Sequence, residues 1–134
     1  MADYAELIND FFNDKGILSK LHTLDDGRKY LKINCENKKF TAIFNGSKGD
    51  YFSIRHKFMN VSFEKKGDII VMCNELNSKY KFFKIYIDED NDIMICFDIH
   101  LTKEDADKVA YESLMRMVAY IENNYEETTK AIYS

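Results

Sequence analysis

The sequence predicts an α+β domain of order α-βββ-α-ββ-α, with helices packed on a mainly antiparallel five-stranded sheet. Three observations predict it. Segments with apolar residues three and four apart stand at both ends and near the middle. Period-two segments bounded by Asn, Gly and Asp turns fill the intervals. The 134 residues contain no Pro, no low-complexity tract and no repeat, so a single domain over 1–134 is expected.

Residues 3–15 read as a helix, because Tyr4, Leu7, Ile8, Phe11 and Phe12 share one face. Gly16 ends it, being free to take the left-handed conformation of a helix stop. The stretch 17–27 leads into the Asp25-Asp26-Gly27 turn and is read as connection. Three strands follow as a meander. The first, Arg28 to Cys35, alternates Leu31, Ile33 and Cys35 with Tyr30, Lys32 and Asn34. The second, Lys39 to Asn45, places Phe40, Ala42 and Phe44 on one side. After the turn 45–50, Tyr51 to Phe58 sets Phe52, Ile54, His56 and Phe58 against Tyr51, Ser53, Arg55 and Lys57.

Residues 68–79 fit either a β-branched strand or a helix. The spacing of Ile69, Met72/Cys73 and Leu76 favours a helix capped by Asp68. A hairpin follows: Lys81 to Asp88, an acidic turn, then Ile93 to His100. A final helix is expected to open at Thr102, with Asp105 in the capping-box position. Its stripe is Ala106, Val109/Ala110, Leu114, Met117/Val118, Ile121 and Tyr125.

Composition excludes several function classes. Apolar residues make up 46%, which excludes global disorder, and no apolar run reaches the roughly 20 residues of a membrane span. The N-terminus has no basic and apolar leader pattern, so with three unpaired cysteines a cytoplasmic location is expected. Residues 1–87 hold 15 Lys/Arg against 11 Asp/Glu, a surplus of +4, whereas residues 88–134 hold 4 against 12, a deficit of −8. An acidic C-terminal helix lying on a mildly basic sheet explains this pattern.

No residue set carries a reaction. Asp88, Asp90 and Asp92 match the first three ligands of a calcium loop, but Ile93 stands where the loop needs Gly and Ile99 where it needs Glu. A solvated turn is the better reading. His22, His56 and His100 lack metal-ligand spacing. Cys35, Cys73 and Cys96 lie among apolar neighbours, as inert thiols do. Catalytic residues, metal ligands and cofactor are therefore each assigned as none.

The polar register of the strands is more informative. Tyr30, Lys32, Tyr51, Arg55, Lys57, Lys84 and Tyr86 would form one aromatic, basic face if the strands align. Such a face suits a protein partner, since Tyr and Arg anchor interfaces. Single-stranded nucleic acid is the alternative, through base stacking and phosphate contacts. Ile70 and Val71 lie beyond the single stripe of the middle helix and are candidates for a homodimer interface.

The stretch from Asn74 to Ile93, NELNSKYKFFKIYIDEDNDI, resembles the YbjN family of bacterial sensory-transduction regulators. Its marks are an N-x-x-N segment (Asn74, Asn77), an aromatic KF-x-K strand (Lys81 to Lys84), an acidic turn and a strand leading to the last helix. The element order is also similar to the type III secretion chaperone fold. The resemblance implies a non-enzymatic bacterial protein, commonly dimeric, regulatory or chaperone-like, and it supports the helix at 68–79. It transfers no catalytic residue. Asn74 and Asn77 are read as satisfying loose backbone groups between helix and strand.

Overall fold

The computed structural model describes residues 3–133, with side-chain surroundings for 3–130. Helix α1 spans Tyr4–Asp14. The Asp3 carboxylate caps it by accepting from the Glu6 amide at 3.2 Å, which satisfies one orphan donor of the first turn. Gly16 adopts φ +81° just past its end, a conformation that carries a Cβ penalty in other residues.

Strands β1 (Leu18–Thr23), β2 (Lys29–Cys35), β3 (Lys38–Asn45) and β4 (Tyr51–Asn60) follow as an antiparallel meander. A 3-10 turn, Phe63–Lys65, runs directly into α2, Lys66–Lys79. Strands β5 (Lys84–Ile87) and β6 (Asp92–His100) form a hairpin, and α3 spans Ala106–Tyr133. The sheet order is β1-β2-β3-β4-β6-β5, with all neighbours antiparallel. Element order is therefore α-ββββ-α-ββ-α, one strand more than the order on which the secretion-chaperone likeness rested.

The sixth strand is the main correction. Leu18–Thr23 had no apolar alternation to announce it, because its inward positions are Ser19 and Leu21. Ser19 is buried as a polar residue, its hydroxyl donating to Asn9 Oδ1 at 2.6 Å. Boundaries also move. The turn between β2 and β3 is the pair Glu36-Asn37, both at positive φ, which matches the twist of a tight hairpin. The strand expected from Lys81 begins only at Lys84: Phe83 packs against Tyr120 of α3, and Phe82 stacks on Phe97 of β6 with the Arg116 guanidinium of α3 on its ring.

The expected helix caps differ too. Asp68 does not cap α2; it sits inside the first turn, since the 3-10 turn already leads the chain into the helix. Thr102 does not open α3. Its hydroxyl donates to the Asp105 carboxylate at 2.8 Å, while the Asp105 carbonyl accepts from the Val109 amide at 2.9 Å.

One sheet face carries the core. Leu31, Ala42, Ile54 and Phe97 form one row across it, and Phe44, Phe52 and Ile99 another. Helices α1 and α3 cover this face through Ile8, Phe12, Leu114, Met117 and Ile121, all buried. Phe11 and Tyr111 meet edge-on between the two helices at 5.9 Å. Tyr120 joins the core against Tyr80 and Phe83. Burial raises its hydroxyl pKa to about 12, with nearby Tyr80 adding to the effect. Tyr125 leaves the expected stripe. It is 51% exposed, and its ring lies 5.4 Å from Phe58.

Candidate functional site

The strand registers settle whether the polar positions share a face. In an antiparallel pair, residues directly opposite project to the same side. Lys20, Lys32, Thr41, Arg55, Cys96 and Lys84 form one row from β1 to β5. His22, Tyr30, Ile43, Ser53 and Asp98 form the next. Tyr51 lies between Asn45 and His100, and Met94 between Lys57 and Tyr86. Tyr30, Lys32, Tyr51, Arg55, Lys57, Lys84 and Tyr86 thus all project from the face opposite the helices.

Charge is unevenly placed on this face. Its two strand carboxylates sit at the β6 side, Asp98 3.9 Å from Lys84 and Asp92 3.3 Å from Lys57. Asn60 donates to Asp92 at 2.9 Å. That bond, with the Lys57 ammonium, holds the Asp92 carboxyl below its ordinary pKa despite partial desolvation. Lys20, Lys32, Lys39 and Arg55 have no carboxylate partner among the described residues. The rings add flat surface: His22 stacks on Tyr30 at 5.0 Å and 14°, and the Lys84 ammonium lies 5.5 Å from the Tyr86 centroid. Cys96 and Ser53 are buried beneath the long side chains around them.

Other sequence candidates separate from this face. Ile70 and Val71 are 50% and 59% exposed on α2, and Phe63, missed in the sequence, is 76% exposed on the turn before it. With Gly67 they follow helical spacing, so one outward stripe carries all of them. Cys35, Cys73 and Cys96 are buried and unpaired, and burial pushes each thiol's pKa up. The carboxylates of Asp88, Asp90 and Asp92 offer oxygens within 4.8 Å of one another. They already have protein partners: Asp88 accepts from the amides of Asp90 and Asp92, and Asp92 from Asn60.

His56 lies where β3 and β4 separate. A carbonyl can only accept, so the 2.8 Å contact between Nδ1 and the Lys39 carbonyl makes Nδ1 the protonated nitrogen. Burial holds the His56 pKa below its ordinary value; the Lys39 carbonyl pulls the other way and Lys38 reinforces the depression. The unfolded chain therefore binds more protons just below about pH 6.5. Stability is full above that value and falls as the pH drops toward the folded-state pKa. Melting curves at pH 7.5 and 5.5 should show a lower Tm at pH 5.5, with a smaller difference in His56→Gln. An equal difference in that variant removes the assignment.

These features define a class: a helix-backed antiparallel sheet whose other face is bare, aromatic and cationic. Residues 4–131 match the model of the YbjN family, described as "Putative bacterial sensory transduction regulator". The chain belongs to the YbjN family. A comparison with curated proteins returns no match. Among solved structures, the chain is similar to an uncharacterized protein from Methanothermobacter thermautotrophicus, at 17% identity and a TM-score of 0.49, covering 91% of this chain and 99% of that one. No helix among the described residues is long and apolar enough to cross a membrane.

Proposed function

We propose that this protein is a non-enzymatic regulator that binds an acidic segment of a partner protein on its bare sheet face. The observation that carries this reading is the alignment of Tyr30, Lys32, Tyr51, Arg55, Lys57, Lys84 and Tyr86 on the one face no helix covers. Four further points support it. The half of the face on β1–β3 holds Lys20, Lys32 and Lys39 with no acid in the strand register, which would steer an acidic partner and fix its register. The tyrosines supply rigid, amphipathic anchors. Three buried, unpaired thiols suit a reducing cytoplasm. The family's description as a regulator agrees with a binding role.

The test compares proteins captured from bacterial lysate by the native chain and by the Tyr30→Ala/Lys32→Glu variant. Proteins captured by the native chain should be lost with the variant and kept with Glu126→Lys, a charge change on α3. Equal capture by all three rejects the face. The same chains titrated with a fluorescent dT20 oligonucleotide test the alternative ligand. Affinity for the oligonucleotide that falls steeply with salt and is lost in Tyr30→Ala/Lys32→Glu would assign the face to nucleic acid instead.

A second surface supports self-association. Phe63, Ile70 and Val71 form an outward apolar stripe on an otherwise polar helix surface, and isologous pairing of two such stripes buries both at once. Light scattering at micromolar concentration should give about twice the 15.8 kDa chain mass, and Ile70→Glu/Val71→Glu should return the monomer. A monomeric native chain removes the dimer.

A further inference from the structure

The β3–β4 ladder stops at the Thr41–Arg55 pair, while β4 continues along β6 to Asn60. Continued by two residues, that ladder would set Lys39 opposite Lys57. Like charges directly opposed weaken a strand pair, and here the strands part. A cleft of about 860 Å³ opens at the fork. Its apolar lining is Ile43, Phe58, Met94, Ile121 and Tyr125. Its charged lining is Lys38, Lys39, Arg55 and Lys57 against the single acid Glu122.

Glu122 is already taken by Lys38 at 3.3 Å, and Lys57 is shared with Asp92. Among the described residues that leaves Lys39 without a carboxylate. Arg55 donates through Nε to the Ser53 hydroxyl at 3.2 Å and has no carboxylate among the described residues either. The fork therefore presents two uncompensated cations beside an apolar wall that includes the half-exposed Tyr125 ring. A guanidinium presents a planar donor fork that fits a carboxylate with two parallel hydrogen bonds. The cleft volume lies within the roughly 300–1,000 Å³ of small-molecule sites.

We propose that the fork cleft binds a small amphipathic carboxylate, with its head between Lys39 and Arg55 and its apolar chain along Ile43, Met94, Phe58 and Tyr125. The site goes beyond partner binding on the sheet face and gives a regulator a place for a small-molecule signal. The carboxylate pairs with Lys39 and Arg55, the two cations without a carboxylate among the described residues, and its chain covers part of the half-exposed Tyr125 ring.

Dodecanoate, kept below its micelle threshold, is the probe, and dodecyltrimethylammonium is the control of equal chain length and opposite charge. Titrated into the full chain, dodecanoate should bind at least ten-fold more tightly. Its amide NMR shifts should centre on Thr41, Ile43, Arg55 and Met94. Tyr125→Glu and Lys39→Gln/Arg55→Gln should each weaken it about ten-fold, the second pair keeping the test sound if the first disturbs the fold. Lys108→Gln, exposed near the start of α3 and outside the cleft, should leave it unchanged. Equal affinity for both amphiphiles, or shifts centred on Phe63, Ile70 and Val71, overturns the proposal. That failure leaves the partner reading standing, because Tyr30 and Lys32 do not line the fork.

Discussion

Replacing Phe52 with Ala is expected to destabilise the protein by about 3–5 kcal/mol, enough to leave little of a stability of the usual order of 5–15 kcal/mol. Phe52 is fully buried on β4, next to the middle of the sheet. Phe44 and Ile99 flank it in register on the two neighbouring strands, and its ring centroid lies 5.5 Å from that of Phe44. A backbone hydrogen-bonded on both sides cannot collapse into the space the ring leaves, so the cavity term adds to the lost transfer energy. Leu114→Ala on α3, also fully buried, should cost about 2–5 kcal/mol and lie at the lower end, since a helix can shift against a sheet more readily than a central strand can move. Urea unfolding with a common m-value measures both. A loss under 1 kcal/mol for Phe52→Ala would mean that the ring does not fill the core.

Legibility in the sequence followed the physics of burial. Strands with one apolar face, such as β2, β3 and β6, announced themselves through Leu31/Ile33, Phe40/Ala42/Phe44 and Ile93/Ile95. Strand β1 did not, because Ser19 fills an inward position and is satisfied by Asn9 and Asn13 rather than by packing. The basic face was legible because it needs only period-two alternation, but its asymmetry was not: the separation of Lys20, Lys32 and Lys39 from Asp92 and Asp98 depends on strand order. The fork was also hidden. Nothing in the composition of Lys38–Phe40 marks the end of a ladder; that end appears only when β4 is found to run on with β6.

Asn77→Ala should cost about 2–6 kcal/mol, from two partly buried backbone groups each worth roughly 1–3 kcal/mol when left unsatisfied. Strand β5 is an edge strand, and an open edge offers unpaired N–H and C=O groups to any passing strand. The Asn77 amide clamps this one at Ile85. Its Nδ2 donates to the Ile85 carbonyl at 2.8 Å, and its Oδ1 accepts from the Ile85 amide at 2.7 Å, as the backbone of a further strand would. The opposite edge is clamped the same way at one residue: Asn13 of α1 donates to the Ser19 carbonyl at 3.1 Å and accepts from its amide at 3.3 Å. Asn74, the other Asn of the N-x-x-N segment, is exposed, so the two positions are not equivalent and Asn74→Ala should change stability by under about 0.5 kcal/mol. Asn77→Asp separates the two bonds, because a carboxylate still accepts from the Ile85 amide but repels its carbonyl; it should fall between Asn77 and Ala. The two clamps sit at opposite edges, so Asn13→Ala and Asn77→Ala should add in free energy. Urea titration gives the stability and light scattering over time gives the aggregation that an opened edge should cause. With each edge clamped at one residue, Ser19 and Ile85, the bare face between them is the broader sheet surface for a partner. An Asn77→Ala protein that is stable and stays dispersed would return the edges to the list of docking surfaces.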